Sequence, residues 1–117
     1  MDEALILSIG QMMTRCRSIY NRATEWLLVV YTWSLFGQEP SPECRKKVED
    51  ALAKAGGLLG DLWDGLGSPT LEAYQGWVKR FDELCGQEDA AEACVRNEWN
   101  RFAKGRGSVL RFPGVGP

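Results

Sequence analysis

The sequence contains no histidine among its 117 residues. Histidine is the side chain that titrates near neutral pH, and it supplies the base of Ser-His and Cys-His nucleophile pairs and the commonest neutral metal ligand. Its absence disfavours most classes of enzyme. We therefore expect a protein that is not an enzyme, with no catalytic residue, no metal site and no cofactor.

The chain also lacks an excess of positive charge, since 14 basic and 16 acidic side chains give a net charge of -2. Nucleic acid is for this reason not a predicted partner. A long hydrophobic run is missing as well, because the longest one, residues 26–36, is interrupted by Thr32 and Ser34. A membrane span needs roughly 20 apolar residues, so a membrane is not a predicted partner either.

A signal peptide and an N-x-S/T glycosylation site are not recognisable, and the first residues, MDEALIL, are acidic rather than basic. This start is typical of an intracellular protein, or of a mature secreted chain to which a start Met has been added. The four cysteines include no C-x2-C pair of the kind that binds zinc. Their even number favours two disulfides and secretion, and the alternative is reduced, buried thiols in a cytosolic protein.

Helical periodicity covers most of the chain. Apolar residues recur at spacings of three and four from Leu5 to Trp33, which predicts one long helix over about residues 2–36, closed by Gly37. The N-cap and N1 pair Ser41-Pro42 begins a second predicted helix, which ends at Gly67. Ser68-Pro69 repeats the signal for a third helix ending at Gly86, and a fourth is predicted over about residues 88–104, with acidic residues in its first turn.

The last thirteen residues contain four glycines and two prolines, which exclude a helix. The predicted fold is therefore all-α: a single-domain, disulfide-stabilised bundle of about four helices over residues 1–104. An extended Gly/Pro-rich tail follows over residues 105–117.

The helical rise of about 1.5 Å per residue limits which cysteines can meet in an up-down four-helix bundle. In that arrangement Cys44 and Cys85 lie at similar heights, as do Cys16 and Cys94. We favour these two pairs. The sequential pairing, Cys16 with Cys44 and Cys85 with Cys94, needs a break in the first helix and stays open as the alternative.

Two groups of residues are candidates for binding a partner. Trp63 and Trp77 lie one position off their apolar stripes, so they are interpreted either as the edge of the core or as part of a partner surface. Arg106, Arg111 and Phe112 belong to the tail, which is interpreted either as a strap docked on the bundle or as a partner-binding arm.

In size, cysteine number, helical character and Gly/Pro-rich end, the chain resembles the anophensin/albicin-type salivary proteins of anopheline mosquitoes. This resemblance implies a secreted, non-enzymatic salivary inhibitor of a host blood cascade. Its partner would be a host plasma protein of complement or coagulation, and the convertase of the alternative pathway of complement is the expected target. Such binding would serve immune evasion.

Two other functions remain as alternatives. The spacing Cys85-x8-Cys94 and the x27 gap from Cys16 to Cys44 resemble part of the insect odorant-binding pattern, although two of that family's six cysteines are missing. That resemblance implies a carrier of a small apolar ligand. The residues that could line its cavity are Met12, Met13, Tyr20, Trp26 and Trp77. The second alternative is an intracellular helical interaction protein with free thiols, for example a viral one.

Overall fold

The structure is a computed structural model that describes residues 3–37 and 39–104. These residues form three helices and no strand: α1 (Glu3–Leu35), α2 (Pro42–Gly65) and α3 (Leu71–Lys104). Every helix packs against both of the others. The all-helical fold and the long N-terminal helix are therefore confirmed.

The helix ends follow the capping chemistry of the sequence. Gly37 has a φ of +76°, the left-handed conformation that glycine adopts without strain, and it ends α1 as predicted. The Ser41 hydroxyl accepts a hydrogen bond of 3.1 Å from the backbone N–H of Cys44, and Pro42 follows at the first helical position. The hydroxyl of Thr70 accepts one of 3.1 Å from Ala73, so α3 is capped by Thr70 rather than begun at Ser68-Pro69.

The prediction of four helices is wrong for this structure. Residues 71–104 form one helix of 34 residues that continues through Gly86. A Cβ at Gly86 would meet no atom within 4 Å, so the glycine lies on an open face of the helix. Glycine lowers helix stability by about 1 kcal/mol without forcing a break, and the apolar stripes on both sides of Gly86 join into one.

Three sets of contacts define the directions of the helices. Arg15 and Arg22 of α1 meet Phe81 and Glu88 of α3, so α1 and α3 run parallel with a constant offset of 66 positions. The residue numbers of α1 and α2 run in opposite directions along their interface, since Arg45 lies over Tyr31 whereas Gly56 packs against Tyr20. These two helices are therefore antiparallel. Asp61 with Arg80 and Gly65 with Trp77 show the same antiparallel sense for α2 and α3.

The core consists of two clusters along the bundle axis. The first joins Trp26, Val30 and Trp33 of α1 to Cys44 and Val48 of α2, and Ala91 and Val95 of α3 complete it. The second joins Ile9, Cys16 and Ile19 of α1 to Leu58 and Leu62 of α2 and to Leu84 of α3. The predicted inner stripe of α1 is confirmed from Ile9 to Trp33. The apolar spacing of residues 71–85 predicts that Leu71 points inward, but in the structure it is 64% exposed.

Candidate functional site

A groove of about 860 Å³ lies between α1 and α2 and opens to solvent. One face of α1, from Gly10 to Tyr20, forms one wall, and one face of α2, from Gly56 to Asp64, forms the other together with Leu66, which caps α2. The lining residues recur at spacings of three and four on both helices, because such residues share one face of a helix. The groove is thus built from two regular helices, without a loop.

Glycines open the groove. Gly10, Gly56 and Gly60 line it without contributing a side chain. A Cβ at Gly10 or Gly60 would meet no atom within 4 Å, whereas one at Gly56 would lie 3.3 Å from Cε2 of Tyr20. The sequence predicts close packing or a bend near Gly56. The structure shows close packing, of the Tyr20 ring, on a helix that continues through this glycine.

The edge of the groove is unusually apolar for an exposed surface. Trp63 is 69% exposed and Tyr20 is 41% exposed, and both line the groove. Leu7, which is 67% exposed, precedes Gly10 by about one turn on α1. Single exposed apolar side chains are ordinary, but an exposed tryptophan and an exposed tyrosine that line the same groove are typical of an interaction site. Arg17 and Asp64 also line the groove and contribute one charge of each sign.

The other sequence-predicted partner residues lie elsewhere. Trp77 is half-buried, and its ring covers Gly65 on the side of α2 that faces α3. The structure therefore brings Trp63, but not Trp77, to the groove. Arg106, Arg111 and Phe112 lie outside the described residues, as does the whole predicted tail over residues 105–117. Whether any of these residues binds a partner stays a prediction.

The four cysteines are free thiols in this structure, and they are arranged differently from the favoured pairs. Cys94 lies close enough to Cys44 to raise the pKa of its thiol, and Cys85 lies close enough to Cys16 to do the same. The cause is the continuous α3. Cys85 and Cys94 are nine positions apart on one straight element, about 13.5 Å along its axis, so both cannot stand beside Cys44. Burial is the main reason why the pKa of Cys16 is raised to about 11 and that of Cys44 to about 12.

A partly buried ion pair links α1 to α3 near the middle of the bundle. Arg22 contacts Glu88 at 3.2 Å and Glu92 at 3.1 Å, and it lies 5.1 Å from the ring centre of Trp26. Glu88 is only 8% exposed, and desolvation by burial raises its pKa above the ordinary value although Arg22 opposes the shift. The sequence pattern predicts that Glu88 lies in the first turn of a fourth helix. This prediction is wrong, because the helix that contains Glu88 begins at Leu71.

Glu88 could have been found from its spacing. It follows Leu84 by four positions and precedes Ala91 by three, so it lies on the inner stripe of α3. A charged residue on such a stripe is rarely buried without a partner. The ion pair holds two helices in register, and since it lies outside the residues that line the groove, we interpret it as structural.

The described residues contain no group of three or more Cys, Asp or Glu side chains placed to hold a metal ion. Nor is any helix within them long and apolar enough to cross a membrane. No family model matches the chain, and neither a curated protein nor a solved structure shows significant similarity to it.

Proposed function

We propose that the protein is a non-enzymatic binding protein that holds a segment of a partner protein in the groove between α1 and α2. The observation that carries this proposal is the exposed indole of Trp63, which lines an open groove together with three glycines. Tryptophan is the residue type most enriched in binding hot spots, since covering it removes a large apolar area from water.

The dimensions of the groove suit a peptide segment. Its walls extend over about ten residues of each helix, or about 15 Å at 1.5 Å per residue. An amphipathic helix of about three turns, or an extended strand of four to five residues, would fill that length. With Arg17 and Asp64 contributing opposite charges, we expect a largely apolar segment and a weak dependence of its affinity on salt.

The identity of the partner is proposed from the resemblance to mosquito salivary inhibitors, which implies the convertase of the alternative complement pathway. In this proposal the chain acts outside the cell and blocks a host protease cascade by occupying a protein surface.

The test is lysis of erythrocytes in human serum with calcium chelated and magnesium supplied, which leaves the alternative pathway active. The protein should inhibit lysis, and Trp63→Ala should raise the inhibitory concentration by about tenfold or more. The matched control is Leu28→Ala, because Leu28 is 62% exposed on α1 and does not line the groove. It should inhibit like the parent.

Two results would contradict parts of the proposal. Equal inhibition by the parent and Trp63→Ala, with unchanged thermal unfolding, would exclude the groove as the binding surface. No inhibition by the parent would exclude the complement target. The groove would then be tested against a panel of purified coagulation proteins by surface plasmon resonance, with the same two variants.

A carrier of a small apolar ligand is the second candidate, and the groove volume favours it, since ligand sites measure roughly 300–1,000 Å³. Met13 and Tyr20 of the predicted lining do face the groove, whereas Met12 and Trp26 are buried in the core. Ligand sites bury most of the ligand surface, which an open groove does less well. Organic extraction of the natively isolated protein, followed by mass spectrometry, should yield no stoichiometric ligand if the first proposal is right.

A further inference from the structure

The thiols of Cys44 and Cys94 are adjacent across the interface between α2 and α3. Cys44 lies in the first turn of α2 and is completely buried, and half-buried Cys94 packs against the same core cluster. The two thiols lie close enough for Cys94 to raise the pKa of Cys44. Adjacent placement of this kind on two facing helices is the geometric precondition for a disulfide.

The helix register supports this placement independently of the thiols. The pairs Asp61 with Arg80 and Gly65 with Trp77 lie on the antiparallel interface of α2 and α3, with residue numbers that sum to 141 or 142. The same register places residue 44 opposite residues 97 and 98, within about one helical turn of Cys94. Cys85 lies some twelve positions away, about 18 Å along the axis.

We propose that Cys44 and Cys94 form a disulfide when the protein meets an oxidising thiol buffer, and that this bond fastens the start of α2 to the second half of α3. The oxidant is a small-molecule disulfide such as oxidised glutathione. The bond is independent of the proposed function, because Cys44 precedes the groove residues of α2 by at least twelve positions.

The reaction proceeds by two thiol–disulfide exchanges. The more accessible Cys94 loses its proton to solvent, and its thiolate attacks one sulfur of glutathione disulfide, releasing one glutathione and leaving a mixed disulfide. Cys44 then loses its proton, and its thiolate attacks the Cys94 sulfur and releases the second glutathione. Two protein thiols are oxidised and one glutathione disulfide is reduced to two thiols.

The second exchange limits the rate at neutral pH. The pKa of Cys44 is raised to about 12, mainly by burial; Cys94 and Glu98 of α3 also raise it, and Lys47 lowers it. Because only the thiolate attacks, the second exchange should accelerate by about tenfold for each pH unit between pH 7 and 9.

The experiment exposes the full chain to oxidised glutathione, alkylates the remaining thiols in acid and digests the protein with trypsin and a Glu-specific protease. Cleavage after Glu88 and Glu92 separates Cys85 from Cys94, which trypsin alone leaves on one peptide. We expect a cross-linked peptide pair that contains Cys44 and Cys94. An additional bond between Cys16 and Cys85 would agree with the proposal, since these two are also neighbours.

Cys94→Ala and Cys85→Ala form a matched pair, because both residues are half-buried on α3. Oxidation closes a loop of about 50 residues in the parent and should raise Tm by about 10 °C or more. Cys85→Ala should keep this rise and Cys94→Ala should lose it. A bond of Cys44 to Cys85, of Cys16 to Cys94 or of Cys16 to Cys44 would overturn the proposal, as would the absence of any bond to Cys44 after prolonged oxidation at pH 9.

Discussion

The indole of Trp77 covers the backbone of Gly65, at the point where α2 ends against α3. A Cβ at Gly65 would stand 2.5 Å from Cζ2 of this indole and closer still to Cη2. Real Cβ atoms do not approach a ring this closely, so only glycine fits beneath Trp77. The contact explains why the C-terminal end of α2 carries a residue that otherwise weakens a helix.

Gly65→Ala should therefore destabilise the protein, by about 1–3 kcal/mol, because the Trp77 ring or the helix must shift. The matched control is Gly57→Ala, since a Cβ at Gly57 in the same helix would meet nothing within 4 Å. This control should stabilise by about 0.5–1 kcal/mol. Chemical denaturation of both variants checks the pair, and equal effects would show that Trp77 does not lie over Gly65.

Gly86→Ala distinguishes three helices from four. In the continuous α3, Gly86 is an exposed interior position with free space around it, so alanine should stabilise by about 0.5–1 kcal/mol and slightly raise helical circular dichroism. If Gly86 were instead a left-handed cap between two helices, alanine would destabilise by a similar amount. The sign of the change in Tm decides between them.

The Arg22–Glu88 pair should respond asymmetrically to mutation. The raised pKa of Glu88 means that the folded state disfavours its charge. The contribution of Glu88 to the free energy of unfolding is therefore complete below the ordinary carboxyl pKa. It is lost as the pH rises through the pKa that Glu88 has in the folded state. Glu88→Gln stays neutral and should match or exceed the parent in stability at pH 7, with a smaller advantage at pH 4.

Arg22→Leu should be destabilising by about 1–3 kcal/mol at pH 7, because it leaves Glu88 charged and buried without its cation. Urea denaturation of both variants at the two pH values is the measurement. If Glu88→Gln lowered the free energy of unfolding as much as Arg22→Leu does, the ion pair would stabilise the fold on balance.

Stability should fall between pH 9 and 11 in the presence of a reductant. The pKa of Cys44 is raised in the folded state. Its contribution to the free energy of unfolding is therefore complete below the ordinary thiol pKa and is lost as the pH rises towards about 12. Lys46 and Lys47, whose pKa values are raised by contacts with Asp50 and Glu43, act in the same direction. Cys44→Ala retains both lysines, so the difference in slope between parent and variant isolates the thiol. Identical slopes would contradict the burial of Cys44.

Deleting residues 106–117 tests the two interpretations of the tail. If Arg106, Arg111 and Phe112 form a partner-binding arm, the truncated protein should lose inhibition while its Tm stays nearly unchanged. If the segment is a strap on the bundle, Tm should fall and activity should decline with it. Full activity and an unchanged Tm would exclude both.

Much of the fold could be predicted from apolar periodicity and from residues that cap helices. The inner stripe of α1 could be found from its spacing, because a helix with one buried face repeats apolar residues every three to four positions. Gly37 and Ser41-Pro42 marked ends correctly, since their backbone preferences act within a few residues. The prediction that a helix ends at Gly86 is wrong, because glycine is compatible both with a helix cap and with the interior of a helix.

Only the tertiary structure decided the features that depend on how whole helices meet. With one continuous α3 the direction of the chain after Gly86 does not reverse, and this alone moves Cys94 from the predicted level of Cys16 to the side of Cys44. The groove likewise exists because Gly10 of α1 and Gly56 and Gly60 of α2 lie on the same side of an antiparallel pair and contribute no side chain to fill it. A sequence specifies the face of each helix through short-range periodicity, but the register between helices comes from the packing of all three together.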